Sequence, residues 1–162
     1  MKFIVLSLAF APRDETLKWA GGVLRAHGDR RAILATHYHL RSDGRSKELE
    51  PRGLLGNVGQ ALWNKFIRKQ ANLFMVVCGH IHAVYHQSDV NDAGGTVHEI
   101  LCDYQKGPNG GNGWLEILRF VPAENRIDVV AYSPLLDEYN KDPDHTYSLD
   151  YDMGVKRLKK AG

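Results

Sequence analysis

Two histidines separated by one residue, His80 and His82, follow Gly79 at the end of the apolar run Leu73-Phe74-Met75-Val76-Val77-Cys78. A third, His37, ends a second apolar run, Ala32-Ile33-Leu34-Ala35-Thr36. Neutral imidazole is the commonest protein ligand for a metal ion. Three imidazoles and a water form a known mononuclear zinc arrangement, in which the water is acidified to a pKa near ~7. The chemistry these residues could do is metal-assisted hydrolysis, provided the fold brings them together. As separate loop histidines they would do none of it.

The elements on either side are of the kind that would bring them together. Short apolar runs read as buried strands. Glycine at a strand end lets the backbone turn sharply and approach a ligand. Open α/β sheets keep their sites at such strand ends. Two strands ending in histidine, with a helix between them, fit neighbours in one sheet, so His37, His80 and His82 are expected to converge at one edge. The intervening helix is predicted over residues 58–70, with Val58, Leu62 and Phe66 and then Trp63, Ile67 and Gln70 at four-residue steps. A first strand is predicted over 3–8. A helix follows Pro12, with Leu17, Ala20, Leu24 and His27 at helical spacing and a weak interior at Gly21-Gly22. Residues 38–57 read as a polar loop. Its Arg41, Arg45 and Arg52, with Arg31 upstream, are candidates to pair with a phosphate, and His39 is a spare ligand. After Ala83 the pattern changes to period two. Strands over 84–87, 96–104, 114–121 and 126–133, with turns at 91–95 and 109–113, predict an antiparallel meander.

Thr36-His37 after one strand and Gly79-His80-Ile81-His82 after a later one resemble the calcineurin-like metallophosphoesterases. Ala11-Pro12-Arg13-Asp14-Glu15, Trp19-Ala20, His98-Glu99-Ile100-Leu101-Cys102-Asp103-Tyr104-Gln105 and Gly110-Gly111-Asn112-Gly113-Trp114-Leu115 resemble a bacterial branch of that family. The resemblance spans roughly residues 3 to 135. It implies an α/β fold, the β-sheet-rich C-terminal half of an αββα sandwich, over 1–135, with a C-terminal extension over 136–162. It also implies a divalent metal (Zn, Mn or Fe) held by His37, His80 and His82, which would also be the catalytic residues. A phosphate mono- or diester would be the substrate, contacted by Arg41 and Asn112.

The family's other motifs are missing. No Asp-x-His precedes His37, the one Gly-Asp (Gly28-Asp29) is followed by Arg30-Arg31-Ala32, and Asn-His does not occur. The bridging carboxylate that clamps two metals, the Asn ligand and the leaving-group histidine belong to those motifs. The expectation is a single ion and an impaired hydrolase. One alternative is a non-catalytic or remnant binding module. Another is a carboxylate-based glycoside hydrolase using Glu99 and Asp103, or partners such as Glu116 and Asp128. Residues i and i+4 on a strand lie about 13 Å apart, beyond the ~5–9.5 Å that such enzymes use.

At 162 residues, 43% hydrophobic and 25% charged, the chain is long enough for one domain with a real core. A net charge of +2 demands neither nucleic acid nor an acidic membrane. Cys78 and Cys102 read as core thiols rather than a disulfide framework. No run of about 20 apolar residues occurs. The first eleven residues imitate a signal peptide but are too short for one, so localisation stays open. Half a sandwich would leave an apolar sheet face bare. A homodimer covering that face is therefore expected.

Overall fold

A computed structural model describes residues 1–47 and 56–154. Arg52, and the basic tail of Lys156, Arg157, Lys159 and Lys160, lie outside the described residues. The chain is mixed α/β and rich in sheet. It divides into two compact units, Met1–Asp103 and Tyr104–Gly162.

The first unit holds β1 (Phe3–Ser7), α1 (Asp14–Ala26), β2 (Arg31–Ala35), a small hairpin of β3 (Leu40–Arg41) and β4 (Gly44–Arg45), α2 (Gly59–Lys65), β5 (Leu73–Cys78), β6 (Val84–Val90) and β7 (Thr96–Cys102). Its main sheet has the order β1-β2-β5-β7-β6. All neighbours are parallel except β6, which runs antiparallel to β7. On one face Leu6, Leu34 and Val76 pack with Leu17, Ala20 and Leu24 of α1 and with Leu62 and Trp63 of α2. The other face is more open at its β1 side, where Val5 is 64% exposed and Ile33, Ala35 and Val77 are half-buried. Pro12 precedes α1, and Asp14 and Glu15 in the first turn and Arg25 in the last complement its dipole.

Three expectations change. The helix expected over 58–70 ends at Phe66 (φ −131°, ψ −64°) and continues as a 3-10 turn, Ile67–Lys69, a tighter exit that turns the chain back toward β5. The loop expected over 38–57 is, where described, packed rather than solvated: Tyr38, His39, Leu40 and Ser46 are all buried. The meander is split. β6 and β7 form a hairpin that returns to the first sheet, because β7 pairs in parallel with β5 through Met75↔His98 to Cys78↔Leu101.

The second unit is an antiparallel sheet of β8 (Leu115–Val121), β9 (Arg126–Ser133), β10 (Glu138–Asn140) and β11 (Tyr147–Asp150). β9 pairs with β8 on one side and with both β10 and β11 on the other. Residues 138–140 and 147–150, within the stretch expected as a C-terminal extension, are strands paired with β9. Before β8 the chain makes an unusual turn. Asn109, Gly110, Gly111, Asn112 and Gly113 all have positive φ (51°, 73°, 95°, 48° and 67°).

Pairing in β8 and β9 places Glu116 on the face shared with Leu118 and Phe120, opposite Ala131, Val129 and Ile127. Burial there raises its carboxyl pKa to about 7. The folded state therefore binds this proton more tightly than the unfolded one. Its contribution falls as pH rises from about 4.5, the unfolded value, through about 7. Glu116→Gln is expected to stabilise the protein at pH 8 and to change little at pH 4. Urea midpoints measured at the two pH values check this, and equal effects at both would contradict it.

Candidate functional site

The parallel ladder of β2 and β5 runs on past the strands themselves. Thr36 N–H donates to the Val77 carbonyl (3.0 Å) and Gly79 N–H to the His37 carbonyl (3.1 Å). These two bonds fix the ends of both strands side by side. Beyond Gly79 the chain folds tightly, with Ile81 N–H bonded to the Gly79 carbonyl and Ala83 N–H to that of Ile81. His80 sits in this turn with φ +72°, a conformation uncommon for a non-glycine residue and one that aims its ring sideways toward β2. The result is a direct contact, His37 Nε2 to His80 Nδ1 at 2.9 Å. One ring nitrogen donates and the other accepts.

Aromatic rings hold the pair. His37 and His80 meet edge to face at 4.8 Å between centroids. Phe10, from the loop after β1, lies 5.4 Å from His37 and 5.3 Å from His80. Tyr38 packs on His80 at 4.7 Å and lies almost parallel to Phe10. Tyr38 is itself 1% exposed, and its hydroxyl accepts from Ser46 Oγ at 2.7 Å. The sequence reading did not single out Phe10 or Tyr38. Their adjacency to His37 in space depends on a loop that no short motif marks.

Beneath this pair lies a buried ionic network. Glu99, wholly buried on β7, takes His39 Nε2 at 2.5 Å and Arg45 at 2.8 Å (Nε) and 2.6 Å (Nη2). Gln87 Nε2 donates to it as well, at 2.9 Å. Arg45 also reaches Asp89 and lies over the Trp63 ring, its guanidinium carbon 3.6 Å from the centroid. Burial works against the charged carboxylate, but the bonds from His39, Arg45 and Gln87 prevail and hold Glu99 down to about 2. Arg45, a candidate to grip phosphate, is thus consumed internally. His39, the spare ligand, is buried against Glu99 rather than presented at the site. Its Nδ1 and the Thr36 hydroxyl are buried without a protein partner among the described residues.

His37 and His80 are brought together as expected. His82 is exposed, two residues along the same turn. Among the described residues no group of three or more His, Cys, Asp or Glu side chains is gathered for a metal ion. Arg41 is half exposed, with Asp43 at 3.9 Å. Asn112 belongs to the second unit, where its side-chain oxygen accepts from Asn109 and its carbonyl accepts from Ser133 Oγ. Asp103 lies beside Gly79, its Oδ2 3.8 Å from where a Cβ on that glycine would stand. The carboxylates considered for glycoside cleavage are committed elsewhere. Glu99 is locked in the network. Arg119 faces Asp128 across the β8–β9 ladder while Glu116 faces Ala131, and this odd spacing puts Glu116 and Asp128 on opposite sides of the sheet.

Two nitrogens 2.9 Å apart, each about 2.0–2.1 Å from one ion, would subtend an angle of about 90° at it. That separation suits adjacent positions on an octahedral cation; a tetrahedral zinc would need the two about 3.3 Å apart, and either requires their mutual hydrogen bond to open. No family model matches the chain. It is similar to the uncharacterized protein YvnB of Bacillus subtilis (strain 168), with 30% identity over 171 aligned positions covering 97% of the chain. The chain spans 13% of the length of that relative.

Proposed function

We propose that this chain carries the histidine half of a calcineurin-like metallophosphoesterase site and takes part in metal-dependent hydrolysis of phosphate mono- or diesters. The observation that carries this reading is the 2.9 Å approach of His37 and His80 from the ends of two adjacent parallel strands. His37 and His80 would hold one divalent ion (Zn, Mn or Fe), with His82 the further donor in the same turn. Such an ion would supply Lewis acidity toward a phosphoryl oxygen and an acidified water. Phe10 and Tyr38 hold the imidazoles in place and keep water from behind them. Arg41, half exposed in the segment after His37, is the candidate for binding the ester's anionic oxygens.

A second reading, a non-catalytic histidine module, is favoured by the direct hydrogen bond between His37 and His80, which satisfies those two ring nitrogens without an ion. Metal content per chain, on protein purified without chelator, separates the two. Phosphomonoesterase and phosphodiesterase rates would be measured on the same samples. One bound ion is expected. Metal affinity and hydrolysis are each expected to fall in His37→Ala and His80→Ala by more than the roughly 10–100-fold that loss of a ligand's outer-shell partner costs. A metal-free wild type with no histidine-dependent hydrolysis would leave the second reading standing.

A further inference from the structure

The strand order sets one carboxylate beside the histidine turn. β5, β7 and β6 are neighbours in that order. Residues 79–83 link β5 to β6, so they must step past β7, a distance of about 10 Å. β5 and β7 are parallel and β6 is antiparallel to β7, so the end of β5, the end of β7 and the start of β6 share one edge. The link carries His80 and His82, and the first residue beyond β7 is Asp103. Asp103 N–H donates to the Ala83 carbonyl at 3.0 Å, one step past the Val84↔Cys102 pair. On its other side the Asp103 Oδ2 lies 3.8 Å from where a Cβ on Gly79 would stand. Ile81, between the two histidines, packs against Leu40, Cys78 and Leu101, which ties the link to the sheet. Three successive parallel strands, β2, β5 and β7, thus deliver His37, His80 and a carboxylate to one edge.

We infer that Asp103 is the carboxylate donor to the ion proposed for His37 and His80, an assignment that rests on that reading of the histidine pair. Neutral imidazoles leave the charge of a divalent cation unbalanced, and an adjacent carboxylate offsets part of it. Among the described residues the donors are not gathered as a ready group. The ring–ring hydrogen bond must open to admit an ion, and the Asp103 side chain can turn about its own torsions while its backbone stays pinned to Ala83. Glu99, on the same strand, is already committed to His39 and Arg45. An oxygen donor beside two nitrogens that suit adjacent octahedral positions favours manganese over a site of imidazoles alone.

Calorimetric titration of the chelator-treated full chain with Mn(II) and with Zn(II) tests this. Asp103→Asn keeps the size of the side chain and its ability to accept hydrogen bonds from the turn. It should lower Mn(II) affinity at least about 100-fold, the upper end of what an outer-shell partner contributes. Zn(II) affinity should fall by less, since imidazole suits zinc and carboxylate suits manganese. Asp103→His, which exchanges an oxygen donor for a nitrogen, should recover Zn(II) binding and not Mn(II) binding. Thermal midpoints and circular dichroism should match the wild type in Asp103→Asn. Equal losses for both ions would mark a side chain that only braces the turn and would overturn the assignment. So would an Asp103→Asn variant that binds both ions like the wild type while His37→Ala and His80→Ala do not, a result that leaves the histidine site standing. A wild type that binds neither ion would overturn both.

Discussion

Arg45→Ala is expected to cost about 3–5 kcal/mol, the range found when one partner of a buried ion pair is removed. Against a total stability of about 5–15 kcal/mol, this is enough to unfold much of the protein. The effect comes from what is left behind. Glu99 is fully buried and would keep only His39 and Gln87 to offset its desolvation. The guanidinium also covers the Trp63 ring, so the substitution removes a stacking contact as well. The same network predicts acid sensitivity. The folded pKa of Glu99, about 2, lies below its ordinary value near 4.5. Its contribution is therefore complete above about pH 5 and lost as pH falls toward 2. It amounts to about 3 kcal/mol. Urea midpoints across this range would show the loss in the wild type and a smaller one in Arg45→Ala, where His39 and Gln87 still favour the Glu99 carboxylate. A cost below about 1 kcal/mol at pH 7 would mean that the network contributes no more than a surface ion pair.

Gly59→Ala should be nearly as damaging, at about 3 kcal/mol. Gly59 opens α2 with φ +47°, where an L side chain costs roughly 1–2 kcal/mol. A Cβ there would stand 2.0 Å from the Ser46 carbonyl oxygen and 2.6 Å from its nitrogen. Both are backbone atoms and cannot rotate away, so overpacking adds about 1–3 kcal/mol. The close approach is enforced by hydrogen bonds. Ser46 N–H donates to the His39 carbonyl, and Gln60 N–H donates to the Ser46 carbonyl. The start of α2 therefore clamps the segment that begins at His37. Thermal denaturation of Gly59→Ala would show the loss. If the variant survives, the displaced clamp should also weaken the metal binding proposed for His37, whereas Gly94→Ala, at an open turn, should leave that binding unchanged.

What could be read from the residues alone was local. The runs ending at His37 and His80 are short, apolar and flanked by turn formers, so their strand character and adjacency follow from burial and connection length. The placement of β7 was harder to see. Thr96 to Cys102 reads equally well as a hairpin strand or as a buried parallel one, and only its pairing with β5 decides which. The 38–47 segment was misread for a related reason. Arg41, Asp43, Arg45 and Lys47 make it look solvated, yet His39 is buried because Glu99, sixty residues away, supplies its charge partner, while Tyr38 and Leu40 pack into apolar clusters. A long-range ion pair leaves no trace in periodicity. The two-way pairing of β9 with β10 and β11 was hidden as well, since strands of three and four residues carry too short a pattern to register.

The run of positive φ from Asn109 to Gly113 bears on how freely that part of the chain can change. Over five residues φ is positive, and at Asn109, Gly110 and Asn112 the backbone adopts the mirror image of ordinary helical handedness. For L-amino acids only glycine, and to a lesser degree asparagine, does this at small cost. The sequence there is Asn-Gly-Gly-Asn-Gly, drawn from those two types alone. Chirality therefore accounts for Asn112 before any ligand is invoked. It also narrows what substitution can explore at these positions, since a charged, aromatic or branched side chain would first have to offset the handedness of the backbone beneath it. Built from D-amino acids, the same turn would lose that restriction.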